Sequence, residues 1–205
     1  MPGYCQPVAI RAPQTARIAP SAGGGFGDDV AGTLLAGLQV GQVARFRVTE
    51  IPEHPGVEVF PTIELIDRLH PPAGQALRFP VPVDLTREEL AMAAEGKYVT
   101  RVIYVEDPQL ALPVDRTADG ETAWIEAAPG DDPLVAADAL GRPIAILRMG
   151  ARMPLESSPE DPGFNYPGSD PIVYDAPQSQ GAAGRRSAPD NAPEPSSRRN
   201  RSRDQ

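Results

Sequence analysis

Residues 77–106 read LRFPVPVDLTREELAMAAEGKYVTRVIYVE and contain two strand patterns with a helix pattern between them. In the first pattern, apolar side chains alternate along an extended segment and therefore share one face: Leu77, Phe79, Val81, Val83 and Leu85. Pro80 and Pro82 lie two residues apart, so both prolines lack an N–H on the same side of the strand. We therefore predict an edge strand whose prolines block pairing with another chain.

A short helix follows this strand over about residues 87–95. Thr86 can accept a hydrogen bond at the helix start, and Glu89, three residues later, completes a capping-box pattern. Gly96 is placed to end the helix, because glycine readily adopts the left-handed conformation common at helix C-termini. We expect the helix to rest on the sheet through Leu90 and its alanines.

The run after the helix, residues 98–105, consists largely of strand-forming residues with apolar side chains on both faces. This pattern favours a central strand that is covered on each side. Alternating patterns on the N-terminal side, at residues 40–49 and 57–65, predict two further strands. On the C-terminal side, Asp119-Gly120 between two apolar runs predicts a hairpin.

A second short helix is predicted from Asp132, which can cap it, through Pro133 at its first position to Gly141. The apolar residues at 144–147 then indicate a final strand. Six candidate strands and two short helices define a mainly β fold, a β-sandwich or a partly open β-barrel, with disordered N- and C-terminal arms. An α/β fold is disfavoured because both helices are too short to cover a parallel sheet.

The pattern divides the chain into four regions: an irregular Pro/Gly-rich N-terminal arm at 1–37, a β-rich globular domain at 38–150, a loosely packed strap at 151–176, and a disordered arginine-containing tail at 177–205. Prolines and a glycine cluster interrupt the first region. The last region has no core-forming residues.

Charge and length limit the classes of function. The chain has 205 residues and a formal net charge of −9, although residues 181–205 hold six arginines against three carboxylates. The acidic body disfavours nucleic-acid binding, which needs a cationic surface, except through this tail. No stretch approaches the roughly 20 apolar residues of a transmembrane helix, and no run near Met1 resembles a signal peptide. The sequence alone therefore predicts a cytoplasmic protein.

Chemistry-bearing motifs are sparse. Cys5 is the single cysteine, and His54 and His70 lie in proline-rich turns without metal-ligand spacing. The chain has no Gly-x-Ser-x-Gly motif, and its adjacent carboxylates are explained by helix starts and solubility. We predict no catalytic residue, no cofactor and no metal, and interpret the protein as a non-enzyme.

Two surfaces are candidates for binding. Aromatic side chains could line a groove for a small molecule or glycan: Trp124, Tyr98 and Tyr104. Arginines of the tail could contact an anionic surface such as nucleic acid or lipid headgroups: Arg198, Arg199, Arg201 and Arg203.

Three runs carry a resemblance to a known family: GQVARFRVT at 41–49, YVTRVIYVEDP at 98–108 and GRPIAILR at 141–148. They resemble an uncharacterised family of exported proteins of planctomycete-type bacteria. The resemblance covers about residues 4–175 and includes no functional motif. It implies a place in the cell envelope or periplasm, and it transfers no activity and no catalytic residue.

These observations favour a non-enzymatic structural or protein-interaction β-domain, placed at the cell envelope by the resemblance. The expected partner is a protein of unknown identity. Two alternatives remain open: a β-domain that binds or hydrolyses a small molecule or glycan, and an adaptor that contacts an anionic surface through its basic tail.

Overall fold

The computed structural model describes residues 4–107, 109, 127–128, 130–150 and 170–175. In chain order the elements are β1 (Cys5–Arg11), β2 (Arg17–Ala22), β3 (Gly25–Phe26), β4 (Val30–Ala31), β5 (Thr33–Gln39), β6 (Val43–Thr49), β7 (Thr62–Leu65), a 3-10 turn (Ala76–Arg78), β8 (Val81–Asp84), α1 (Arg87–Ala94), β9 (Val99–Glu106), α2 (Pro133–Leu140), β10 (Gly141–Met149) and β11 (Ile172–Tyr174). The predicted mainly β class with short helices is therefore confirmed.

The strands of the described residues form two sheets. In the smaller sheet the order is β11-β5-β1-β8, with β5 antiparallel to both of its neighbours and β8 parallel to β1. In the larger sheet the order is β3-β2-β6-β7-β10-β9, and β4 also pairs with β2. Within the described residues the sheets do not close into a barrel.

The inner faces of both sheets contribute to one hydrophobic core. Val8 and Leu34 come from the smaller sheet, and Phe46, Ile63 and Leu147 come from the larger one. The alternation that predicted β6 is visible in its burial, because every second residue of the strand is buried. Apolar burial of this kind is the main favourable term that holds two sheets together.

Helix α1 forms as its sequence predicts. The Thr86 side chain accepts the backbone N–H of Glu89, and the Glu89 carboxylate accepts the backbone N–H of Thr86, which completes the capping box. Leu90 is fully buried against the core. Helix α2 likewise begins after Asp132, with Pro133 in its first turn.

Strand β8 is an edge strand, as the prolines predict, because among the described residues it pairs with β1 alone. Its N-terminal extension was predicted wrongly. Leu77 lies in the 3-10 turn and Phe79 follows it, and their side chains are 50% and 47% exposed rather than part of a buried face. The alternation is broken because the chain turns before Pro80 instead of remaining extended.

The prediction of an irregular arm at residues 1–37 is wrong. This segment contains β1 to β4 and most of β5, and Val8, Ile10, Ile18 and Leu34 are at most 2% exposed. A domain boundary at residue 38 therefore does not exist, since β5 crosses it and the same core lies on both sides. Prolines obscured the pattern: Pro7 lies within β1 and Pro20 within β2.

The prediction of a central strand at residues 98–105 is also corrected. Among the described residues, β9 pairs with β10 alone and is the last strand of its sheet. Val99 and Ile103 pack against the core, whereas Val105 is 42% exposed. Apolar residues on both faces favour a strand, but they do not indicate how many strands lie beside it.

Several predictions fall outside the described residues, namely the hairpin at Asp119-Gly120 and the tail at 177–205. The strap at 151–176 is described only at its end, where β11 pairs with β5 and confirms that this part packs back onto the sheet.

Candidate functional site

A surface depression of about 350 Å³ lies where β1 begins and β5 ends. Its lining combines an aromatic ring, a guanidinium, a carboxylate, an amide and an apolar side chain: Tyr4, Arg68, Asp67, Gln39 and Val40. Tyr4 and Val40 are 43% and 42% exposed, so apolar surface faces solvent here. Convergent polar groups beside exposed apolar surface are typical of binding sites.

A fully buried glutamine fixes the geometry of this depression. The side-chain oxygen of Gln6 accepts the backbone N–H of Leu69 at 2.9 Å and faces the Tyr4 hydroxyl at 3.4 Å. Its amide nitrogen donates to the Pro7 carbonyl at 3.0 Å. Gln6 therefore joins the start of β1 to the loop after β7, with both ends of its amide satisfied.

Arg68 lies over the ring of Tyr4, with its Cζ atom 5.3 Å from the ring centroid. This distance is within the range of a cation–π contact. Among the described residues, no carboxylate forms an ion pair with Arg68. The guanidinium is thus held by an aromatic face while its N–H groups remain available.

The neighbouring carboxylate is already neutralised. Asp67 accepts the backbone N–H of Arg68 at 2.7 Å, and it also accepts a hydrogen bond from the Arg142 guanidinium. These two hydrogen bonds, the first being the larger effect, hold the pKa of Asp67 below its ordinary value. Arg142 also donates to the Arg68 carbonyl at 3.2 Å, which ties the loop to β10.

A second feature lies at the β11 edge of the smaller sheet. The Tyr174 side chain packs over Gly37 so closely that a Cβ atom at residue 37 would lie 2.6 Å from the Tyr174 hydroxyl oxygen. Burial raises the pKa of Tyr174, and the Cys5 and Tyr4 side chains raise it further. Ile172 and Val173 of the same strand are each 51% exposed.

The aromatic groove predicted from the sequence stays a prediction. Tyr98 immediately precedes β9 and is 71% exposed, whereas Tyr104 lies near the other end of that strand. Six residues of extended chain separate them by about 20 Å. Burial, with a contribution from Glu106, raises the pKa of Tyr104. Trp124 lies outside the described residues, as do the tail arginines Arg198, Arg199, Arg201 and Arg203.

The described residues contain no group of three or more metal-ligating side chains, and none of their helices is long and apolar enough to cross a membrane. His54 Nδ1 lies 3.1 Å from the Pro52 carbonyl, within its turn. The adjacent carboxylates Glu88-Glu89 and Asp131-Asp132 lie at the two helix starts.

Sequence reasoning missed the depression because its residues are far apart in the chain, and only the fold brings Tyr4 to Arg68. One signal was present. Gln6 shares the inward-facing positions of β1 with Val8 and Ile10, so a polar residue interrupts an apolar face. A buried amide at such a position requires partners, and these partners define the site.

Comparisons of the chain with protein-family models, with curated proteins and with solved structures give no match.

Proposed function

We propose that the protein is a non-enzymatic interaction module whose smaller sheet accepts an extended segment of a partner protein along β5, in place of β11. The observation that carries this proposal is the unequal pairing of β5. All seven of its residues pair with β1, but only Leu35, Ala36 and Gly37 pair with β11. Within the described part of the chain, the remaining length of this edge has no strand beside it.

The opposite edge of the same sheet is closed to strand addition. The Leu85 N–H donates to the Arg11 carbonyl, so the odd-numbered residues of β8 direct their backbone groups towards β1. Pro82 and Asp84 therefore direct theirs outward, where Pro82 has no N–H and the Asp84 carbonyl accepts a hydrogen bond from Arg101. Strand addition to the smaller sheet is thus confined to the side of β5.

A longer strand would pair better than β11 does. Each added backbone hydrogen bond contributes about 0.5–1.5 kcal/mol net. A partner strand that spans seven residues of β5 should therefore bind more tightly than one that spans three. The occupant already present defines the chemistry of the slot: an extended apolar segment with an aromatic side chain over Gly37.

The proposal includes a location at the cell envelope, which rests on the family resemblance. Fractionation of native cells, with mass spectrometry of the mature N-terminus, tests this part. Recovery in the envelope supports it, and a cytosolic protein that starts at Met1 would overturn it.

Photo-crosslinking tests the site. The full chain, with p-benzoylphenylalanine at Thr33 on the exposed end of β5, is expressed in its native cells, and a second chain carries the same probe at Val135 of α2. We expect one protein to be captured from Thr33 and not from Val135. Equal capture at both positions, or at neither, would contradict a binding site along β5.

Affinity measurements with the captured and purified partner then distinguish two modes of binding. In one the partner strand replaces β11, and in the other it contacts the protein while β11 stays in place. Weakening the strap by Tyr174→Ala raises the fraction of chains with a free β5 edge, so the partner should bind several-fold more tightly. Tyr98→Ala, at an exposed tyrosine beside the other sheet, is the matched control and should leave the affinity unchanged. Weaker binding by the Tyr174→Ala chain would contradict replacement.

A further inference from the structure

The geometry points to a second binding site, separate from the β5 edge: we infer that Arg68, held over Tyr4, binds a carboxylate carried on a short apolar group. This inference does not depend on the proposed strand site. Of the residues that line the depression, Gln39 alone belongs to β5, and the experiments that test the two sites have different readouts.

The Arg68 guanidinium is available to a ligand. Seven other cationic side chains of the described residues have carboxylate partners, for example Arg142 with Asp67 and Arg148 with Glu64. Arg68 lacks one among the described residues, although the chain as a whole is acidic. A guanidinium presents N–H groups in a planar fork that matches a carboxylate, so this side chain is an available carboxylate ligand.

The loop that carries Arg68 is held in place before any ligand binds. The buried amide of Gln6 faces the Tyr4 hydroxyl and binds the Leu69 N–H, so the ring and the loop that carries Arg68 are joined through one residue. Two further hydrogen bonds fix the loop to β10, from the N–H groups of Ile66 and Asp67 to the Ile144 carbonyl. A loop that is already held in place loses little conformational freedom when its side chain binds a ligand, which improves affinity.

The charge and shape of the depression also favour a small carboxylate ligand. Arg142 neutralises Asp67, so the carboxylate in the lining does not compete for Arg68 or repel an incoming anion strongly. Val40, 42% exposed, supplies apolar surface in the same depression. A depression of about 350 Å³ matches the small end of ligand pockets and suits a carboxylate with a few carbon atoms.

Nuclear magnetic resonance of the full-length, isotopically labelled chain tests the inference, with sodium butyrate as the probe. The reporters are the Arg68 Nε–H signal and the backbone amide of Val40. Butyramide, the uncharged analogue, and sodium chloride at equal ionic strength are the probe controls. We expect saturable shifts with butyrate, with a dissociation constant on the order of 10 mM, and none with either control.

Variants locate the site through the Val40 amide signal. Arg68→Gln should raise the dissociation constant at least about tenfold, and Tyr4→Leu should raise it several-fold through loss of the ring contact. Arg87→Gln, the same substitution on α1, is the matched control and should change nothing.

Four results would overturn the inference. Three of them are shifts that increase linearly without saturation, equal shifts with butyramide, and an unchanged response in the Arg68→Gln chain. The fourth is stronger saturable binding of inorganic phosphate than of butyrate, since the site would then be selective for phosphate. The comparison of butyrate with butyramide uses the unmodified chain, so it stands even if a variant does not fold.

Discussion

Tyr174 lies against the backbone of β5 because residue 37 has no side chain. Gly37 has an ordinary strand register, so its role is to give space and not to adopt a left-handed conformation. The ring of Tyr174 occupies the volume that a Cβ would fill, with ring atoms 3.0 Å from that position. The strap can therefore attach to the sheet because Gly37 lacks a Cβ atom.

Gly37→Ala should detach this ring. The added Cβ overlaps the Tyr174 side chain, and overpacking of this kind costs about 1–3 kcal/mol, which is relieved if β11 separates. The amide hydrogens of Ile172–Tyr174 should therefore exchange about 10- to 100-fold faster, which is the change in rate that about 1–3 kcal/mol implies. Gly25→Ala, where the nearest atom to a Cβ lies 3.9 Å away, is the control. Unchanged exchange at β11 would contradict the contact.

Alkaline pH should loosen the same contact. The pKa of Tyr174 is raised in the folded chain by burial and by Cys5 and Tyr4, so the folded state retains the phenol proton that an unfolded chain loses. The stabilisation is complete below the ordinary tyrosine pKa of about 10 and is lost as the pH rises through the folded value. The spectrophotometric titration curves of the unmodified and Tyr174→Phe chains should differ by the ionisation of one tyrosine, and the pKa of this tyrosine should be raised. A difference spectrum that titrates at the ordinary tyrosine pKa would contradict this.

At the residue scale, the sequence predicts local chemistry better than distant contacts. The capping role of Thr86 and Glu89 follows from a spacing of three residues. The Tyr4–Arg68 pair joins positions more than sixty residues apart and becomes visible only when β1 lies beside the loop after β7.

At the element scale, a partly buried ion pair joins the two sheets. Arg101 of β9 has its Nε atom 3.3 Å from a carboxylate oxygen of Glu89 on α1, and it donates to the Asp84 carbonyl at the end of β8. The Nε atom is not aligned for a hydrogen bond, so its attraction to Glu89 is mainly Coulombic. The side chains of Arg101 and Glu89 are 21% and 10% exposed, so water screens the pair only partly.

Arg101→Met should therefore destabilise the fold, because it leaves the Glu89 carboxylate buried without its cation. We expect a loss of about 3 kcal/mol in the free energy of unfolding, at the low end for a broken buried pair. Adding Glu89→Gln removes the unpaired charge, so denaturant unfolding should show that the double variant is more stable than Arg101→Met alone. Additive losses would show that the pair is not coupled.

The prolines of the β8 edge should protect the chain from self-association. Replacing both of them, Pro80→Thr with Pro82→Thr, supplies outward N–H groups to an exposed edge. Sedimentation velocity should detect larger species at concentrations where the unmodified chain shows none. Pro72→Thr, in an exposed loop, is the control. Identical sedimentation of all three chains would show that the prolines have no protective role.

Among the elements, those with clear punctuation were predictable, whereas two strands interrupted by proline were not. Helices α1 and α2 and strand β6 follow their patterns closely. Strands β1 and β2 each contain a proline, which concealed their alternation. The neighbours of a strand depend on long-range pairing, so β9 was assigned to the sheet correctly but to the wrong position in it.

At the scale of the whole molecule, the N-terminal segment is part of the fold rather than an arm. β1 and β5 form the centre of the smaller sheet, and their apolar residues share a core with β6, β7 and β10. Composition suggested disorder because prolines and glycines are frequent there. The burial of Val8, Ile10, Ile18 and Leu34 shows that this segment is packed into the core instead.

The same arrangement directs the proposed interaction. One edge of the smaller sheet is closed by Pro82 and by the contact of Arg101 with Asp84, and the other holds a three-residue strand along a seven-residue neighbour. An interaction module that uses this sheet has one edge available, and its own strap occupies part of it.

Amide hydrogen exchange of the full chain, with and without the partner captured at Thr33, tests whether a partner strand replaces β11. If the partner replaces the strap, the outward-facing amides of Thr33 and Gln39 in β5 should gain protection while Ile172–Tyr174 of β11 lose it. Protection that is unchanged at β5, or that increases at β11 together with β5, would contradict replacement of the strap by a partner strand.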